Sequence, residues 1–193
     1  MERGRNFEPQ STLARVFSFD VKFTGAKRTQ FYRKLFGFVG KARRSSALGP
    51  PKTYTYAIPG LLSSIPHIRL GKSVIAVPLA AAPKLEEFFS SPRWRPMELY
   101  SFDAILPADL RLKAMEASLS RYIPLERGQR TTLAREISDL RALLARGEMG
   151  EAVLERARHM LRAADELMQL DWTDGRKFSI ELEAKLAEIR KRI

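Results

Sequence analysis

The run Val16–Phe23, Val-Phe-Ser-Phe-Asp-Val-Lys-Phe, is the strictest constraint in the chain. Its period of two puts Phe17, Phe19, Val21 and Phe23 on one side of an extended strand and Ser18, Asp20 and Lys22 on the other. Three aromatic rings on one side describe a buried face packed against helices. An exposed stacking platform for bases is the rival reading, and the polar opposite side speaks for the core.

The segments that follow supply what that face packs against. Thr24–Gly37 reads as a turn and then a helix of about ten residues, with Thr24 or Thr29 as its cap and Gly37 as its left-handed end. Phe31 and Leu35 face the core with Tyr32 and Phe36 beside them. Lys27, Arg28, Arg33 and Lys34 form the solvent side. Val39–Lys52 has no periodicity, contains Gly40, Gly49, Pro50 and Pro51, and is expected to be a mobile basic loop. Thr53–Ile58 alternates as a strand with Tyr54, Tyr56 and Ile58 on one face. Leu61–Ile65 reads as a helical turn or short strand, His67–Leu70 as an edge strand, Val74–Val77 as a buried strand and Pro83–Phe89 as a short helix. Ser90–Pro96 punctuates the chain, with Trp94 between two arginines as a pin for the linker rather than a base-stacking group. Met97–Leu106 can add one more strand.

Beyond Pro107 the apolar period changes to that of helices. Leu112, Met115, Leu119 and Tyr122 form one stripe, and Leu133, Ile137, Leu140 and Leu144 a second, capped by Thr131 or Thr132. Pro124–Arg130 reads as a loop. Val153, Ala157, Met160, Ala164, Leu167 and Met168 mark a long helix from Glu151 to Leu170. Leu182, Leu186 and Ile189 mark a last helix, capped by Ser179. The expected fold is therefore α+β: an N-terminal, mostly antiparallel sheet with helices on one face, followed by a C-terminal helical bundle. The boundaries drawn are 13–106 for a basic α/β domain and 107–193 for the helical region.

Charge is divided as sharply as periodicity. Residues 1–80 carry 14 Lys and Arg against 3 Asp and Glu, while residues 81–193 carry 20 against 19. Nearly all of the net charge of +12 thus sits in the first 80 residues. No acid interrupts the sequence between Asp20 and Glu86. An ordinary solvated surface mixes signs and gains from neighbouring ion pairs. One sign alone over such a length points to an anionic partner. The cations expected on phosphate are Lys27, Arg28, Arg33, Lys34, Lys41, Arg43, Arg44, Lys52, Arg69 and Lys72, with Tyr32, Tyr54 and Tyr56 stacking on bases where single strands are bound.

Familiar catalytic and recognition motifs are missing from the sequence. Gly71-Lys72-Ser73 resembles the end of a phosphate-binding P-loop, but Pro66 stands where that motif needs Gly, and a strand follows instead of a helix. There is no Cys, hence no disulfide and no thiolate ligand. No zinc finger, helix-turn-helix, RRM or KH signature stands out. In layout alone, a basic α/β domain followed by helices, the chain is similar to some archaeal single-stranded-DNA binders; no residue motif carries the likeness. The expectation is a non-catalytic nucleic-acid-binding protein, cytoplasmic, needing no cofactor or metal and no membrane. Two alternatives stand beside it. One is an assembly subunit, or homodimer, acting through the C-terminal helices. The other is a nuclease built on Asp20 or His67.

Overall fold

The computed structural model describes residues 12–46, 49–120, 122–124, 130–148 and 150–193. It is an α+β fold, an N-terminal antiparallel sheet packed with helices and followed by C-terminal helices. The order is β1 (Leu13–Val21), α1 (Gly25–Phe36), β2 (Phe38–Ser46), β3 (Gly49–Ile58), β4 (Ile68–Gly71), β5 (Val74–Pro78), α2 (Ala82–Ser90), β6 (Met97–Ile105), α3 (Ala108–Leu119), β7 (Tyr122–Pro124), β8 (Arg130–Thr132), α4 (Leu133–Ala145), α5 (Glu151–Gln169) and α6 (Lys177–Arg190). No helix among the described residues is long and apolar enough to cross a membrane.

Four strands form the central sheet in the order β4-β5-β1-β6, and each neighbouring pair is antiparallel. β1 lies between β5 and β6 and is buried on both sides. Phe17, Phe19 and Val21, with Ile75 and Val77 of β5, pack on Phe31 and Leu35 of α1 and on Leu85 and Phe89 of α2. Ala14 and Val16, with Ala76, pack instead on the C-terminal helices through Met115, Leu140, Met160, Trp172 and Leu186. Helices therefore cover both faces of the sheet, not the single face expected. The alternation in β1 hides this because its polar residues, Ser18 and Asp20, lie at the end of the strand that the bundle does not reach. The small apolar Ala14 and Val16 lie at the end that it does.

Trp94 is buried against Phe23, Phe31 and Phe88, so it anchors the connection into β6 and is not a surface stacking group. The segment expected to be a mobile loop is half of a hairpin. β2 and β3 pair from Phe38↔Ile58 to Ser46↔Gly49 and form a two-stranded sheet separate from the main one. β7 and β8 likewise pair across Tyr122↔Thr132, so Tyr122, expected on the helical stripe of α3, is in a strand instead, and residues 125–129 of the expected loop lie outside the described residues.

Buried polar groups tie the bundle. Arg111 is 4% exposed. It donates to the carbonyls of Leu106 and Trp172 at 3.1 and 2.6 Å and to Asp174 at 2.8 Å, while the Trp172 indole donates back to the Arg111 carbonyl. Thr132 caps α4, its Oγ1 accepting from the Arg135 N–H at 3.2 Å. Ser179 does not cap α6; it sits inside the first turn. Its N–H and hydroxyl both donate to Asp171, at 2.8 and 2.6 Å. A carboxylate is the better acceptor at a helix start, where the backbone dipoles favour negative charge.

Candidate nucleic-acid interface

Helix α1 carries two opposed stripes. Phe31 and Leu35 are fully buried. On the outward side Arg28, Thr29, Tyr32, Arg33 and Phe36, with Gly25 and Gly37, line an open groove of about 620 Å³. Gly37 has φ +76° and ends the helix, its N–H donating to the Arg33 carbonyl at 2.8 Å.

The groove floor is aromatic. Tyr32 and Phe36, one turn apart, stack with ring centroids 6.2 Å apart and planes 10° from parallel. Tyr32 is seated edge-on against buried Phe31 at 5.3 Å. Three guanidinium groups rest on ring faces around this floor: Arg28 over Tyr32 at 5.9 Å, Arg33 over Phe38 at 4.4 Å, and Arg69, arriving from β4, over Phe36 at 3.8 Å. Such contacts stabilise by about 0.5–1 kcal/mol each at exposed sites. They hold the side chain in place without cancelling its charge, which an ion pair would do.

Among the described residues no acid lines this groove. In the N-terminal region, ion pairs form at Arg15, with Glu86 at 2.7 Å and Asp103 at 2.6 Å, and at Lys22, with Asp20 at 2.5 Å and Glu98 at 3.2 Å. The hydrogen bonds to Asp20 and Glu98 raise the Lys22 ammonium above its ordinary range. Neither Arg15 nor Lys22 is among the expected nucleic-acid contacts. Among the described residues, Lys27, Arg28, Arg33, Lys34, Lys41, Arg43, Arg69 and Lys72 make no ion pair.

The described ones among the expected residues are divided among four places. Arg28, Tyr32, Arg33 and Arg69 meet at the groove. The helical repeat sets Lys27 and Lys34 on another flank of α1, and Lys27 donates to the Arg95 carbonyl at 2.7 Å and lies over Phe23. On the hairpin, Tyr56 is opposite Gly40 whereas Lys41 and Arg43 are opposite Thr55 and Thr53. Tyr56 and the two cations are thus on opposite faces of the arm. Tyr56 meets Phe38 edge-on at 6.0 Å, and through Arg33 over Phe38 it stands next to the groove. Lys72 is exposed in the turn between β4 and β5. The side chains of Arg44, Lys52 and Tyr54 lie outside the described residues.

Thr29 and Phe36 of the groove, and Phe38 beside it under Arg33, were not expected at the site. The i, i+4 pairing of Tyr32 with Phe36 was the available signal for one of them. His67 of the nuclease alternative is half-buried, its Nδ1 2.9 Å from the Ile65 carbonyl and its ring 6.5 Å from Phe36. Asp20 is held by Lys22, and no cluster of three or more His, Asp and Glu able to hold a metal occurs among the described residues.

What the arrangement offers chemically is a pair of stacked, partly exposed aromatic rings with guanidinium groups resting against them. No family model matches the sequence, and comparison with the curated proteins and with the solved structures finds no match.

Proposed function

We propose that the protein binds nucleic acid without chemistry, gripping the phosphate backbone through its basic N-terminal region and favouring single-stranded DNA or RNA. One observation carries the reading: Arg28, Arg33 and Arg69 are held on the faces of Tyr32, Phe36 and Phe38 around an open groove, with no carboxylate among the described residues paired to them. Phosphates would take the guanidinium groups, which form forked hydrogen bonds well suited to them. An unstacked base would lie on the exposed part of the Tyr32–Phe36 floor. Duplexes hide their ring faces, so stacking favours single strands. Lys41 and Arg43 on the far face of the hairpin would meet phosphates further along the strand.

The test is a titration of labelled single- and double-stranded DNA and RNA at several salt concentrations. With six phosphate contacts on a single strand, log affinity falls against log salt with a slope of about −4. Absence of binding at about 50 mM salt, or binding that ignores salt, overturns the reading.

A further inference from the structure

The outer strand β6 has large apolar side chains standing in solvent on both faces: Leu99 and Ile105 on the side of α1 and α2, Tyr100 and Phe102 on the side of the bundle. Tyr100 is 66% exposed, Phe102 56% and Ile105 75%. β6 is also an edge of the central sheet. Edge strands in soluble proteins are usually short, covered or charged outward. β6 is nine residues long, and its two charges are already used, Glu98 by Lys22 and Asp103 by Arg15.

The direction of its hydrogen bonds follows from β1. The Phe19 N–H donates to the Ser73 carbonyl, on the β5 side, and the Lys22 N–H to the Pro96 carbonyl, on the β6 side. Successive residues of a strand alternate sides. Ala14, Val16, Ser18 and Asp20 therefore bond toward β6, where they stand opposite Ala104, Phe102, Tyr100 and Glu98. The backbone groups of Met97, Leu99, Ser101, Asp103 and Ile105 are left pointing out of the sheet.

We infer that a second copy of this chain docks here, β6 against β6 in antiparallel register about a twofold axis at Ser101, joining two four-stranded sheets into one of eight. This register pairs all nine residues. It sets each outward-bonding residue opposite another, Met97 to Ile105, Leu99 to Asp103 and Ser101 to Ser101, which closes about ten backbone hydrogen bonds. It also sets Tyr100 opposite Phe102 twice, at the closely spaced pairs where cross-strand rings meet best. Ile105 of each copy is covered by Met97 and Leu99 of the other. The same strand is self-complementary, as a closed twofold interface requires. The surrounding charges select this occupant over nucleic acid: on and beside β6 the four acids Asp20, Glu86, Glu98 and Asp103 take up both nearby cations, Arg15 and Lys22, so no free positive charge is left there for a polyanion, while two copies of such an ion-paired surface can meet.

The chain has no Cys, so one introduced thiol reports cleanly. Hydrogen-bonded antiparallel partners lie about 5.5 Å apart at Cα, within reach of a disulfide. S101C is expected to oxidise to a covalent dimer, while L70C on the opposite edge strand stays reduced. Light scattering on the full chain is expected to give a dimer for the wild type. It is expected to give a monomer for S101P, which removes an N–H that β1 does not use, and for the double variant Y100K/F102K, which replaces exposed side chains only. Circular dichroism checks that both variants stay folded. A wild-type monomer at about 100 μM, a dimer that neither S101P nor Y100K/F102K weakens, or an S101C that stays reduced overturns the proposal. None of these readings depends on nucleic acid, so they stand or fall apart from the binding titration.

Discussion

Arginines serve opposite ends in the two regions of this molecule. In the bundle seven of them pair with acids. Arg156 grips Glu136, itself 1% exposed, through two hydrogen bonds of 2.9 and 3.1 Å, which hold the guanidinium protonated above its ordinary range. Arg190 is shared by Asp165 and Glu183, and Arg141 reaches Glu188. On α1 and β4 the arginines lie against rings. An arginine against a carboxylate is finished as a source of field, whereas one against a ring remains a cation looking outward. The two regions differ in net charge through their acids, 3 in residues 1–80 against 19 in residues 81–193, and not through the number of basic residues, 14 against 20.

The largest effect expected from disturbing this contrast falls on the bundle. Arg111→Met leaves the Leu106 and Trp172 carbonyls without their donor and is expected to lower stability by about 3 kcal/mol, read by urea unfolding. Nucleic-acid affinity of the folded fraction stays unchanged. Next in size, the triple change Arg28→Ala, Arg33→Ala, Arg69→Ala is expected to weaken single-strand binding roughly 100-fold and to flatten the salt slope by about 2. Stability falls by no more than about 1–2 kcal/mol. The matching removal of Arg135, Arg141 and Arg158 from the bundle is the control, and an equal loss of binding from it breaks the comparison. Tyr32→Leu keeps an apolar floor but removes the stacking ring. It is expected to weaken single-strand binding by about 1–2 kcal/mol and leave duplex binding alone, which sharpens the distinction between holding bases and holding phosphates. Smallest of all, Lys22→Ala breaks an exposed ion pair and is expected to leave both the urea midpoint and the salt slope unchanged.

What could be read from the sequence follows what the core can write into it. β1, α1 and the four bundle helices each bury a face, and burial imposes a period; Phe31 with Leu35, or Leu140 with Leu144, announce their helices. No described side chain of the β2–β3 hairpin belongs to either core cluster. Val39 is 67% exposed on one side and Tyr56 42% on the other. No apolar alternation was needed, and Val39–Lys52 therefore looked like a loop. β6 was legible as a strand but not as an edge, because edge position depends on which strands flank β1. At the groove, Arg28, Tyr32 and Arg33 were legible as a local cluster. The arrival of Arg69 over Phe36 was not, since it depends on the placement of β4 beside β5.

The root of the hairpin bears on all of this. There Gly37 and Gly60 cross with bare backbones touching. A methyl group on Gly60 would strike the Gly37 nitrogen, the Phe36 carbonyl carbon and the Leu35 oxygen, and one on Gly37 would come within 2.6 Å of the Ile58 oxygen. Main chain cannot step aside as a side chain can. The angle between the arm and the helix is thus set by how closely two glycines pass, like the pivot of a pair of tongs. Gly60→Ala would spread those jaws, parting Tyr56 and Phe38 from the Tyr32–Phe36 floor while every residue that meets a ligand keeps its identity.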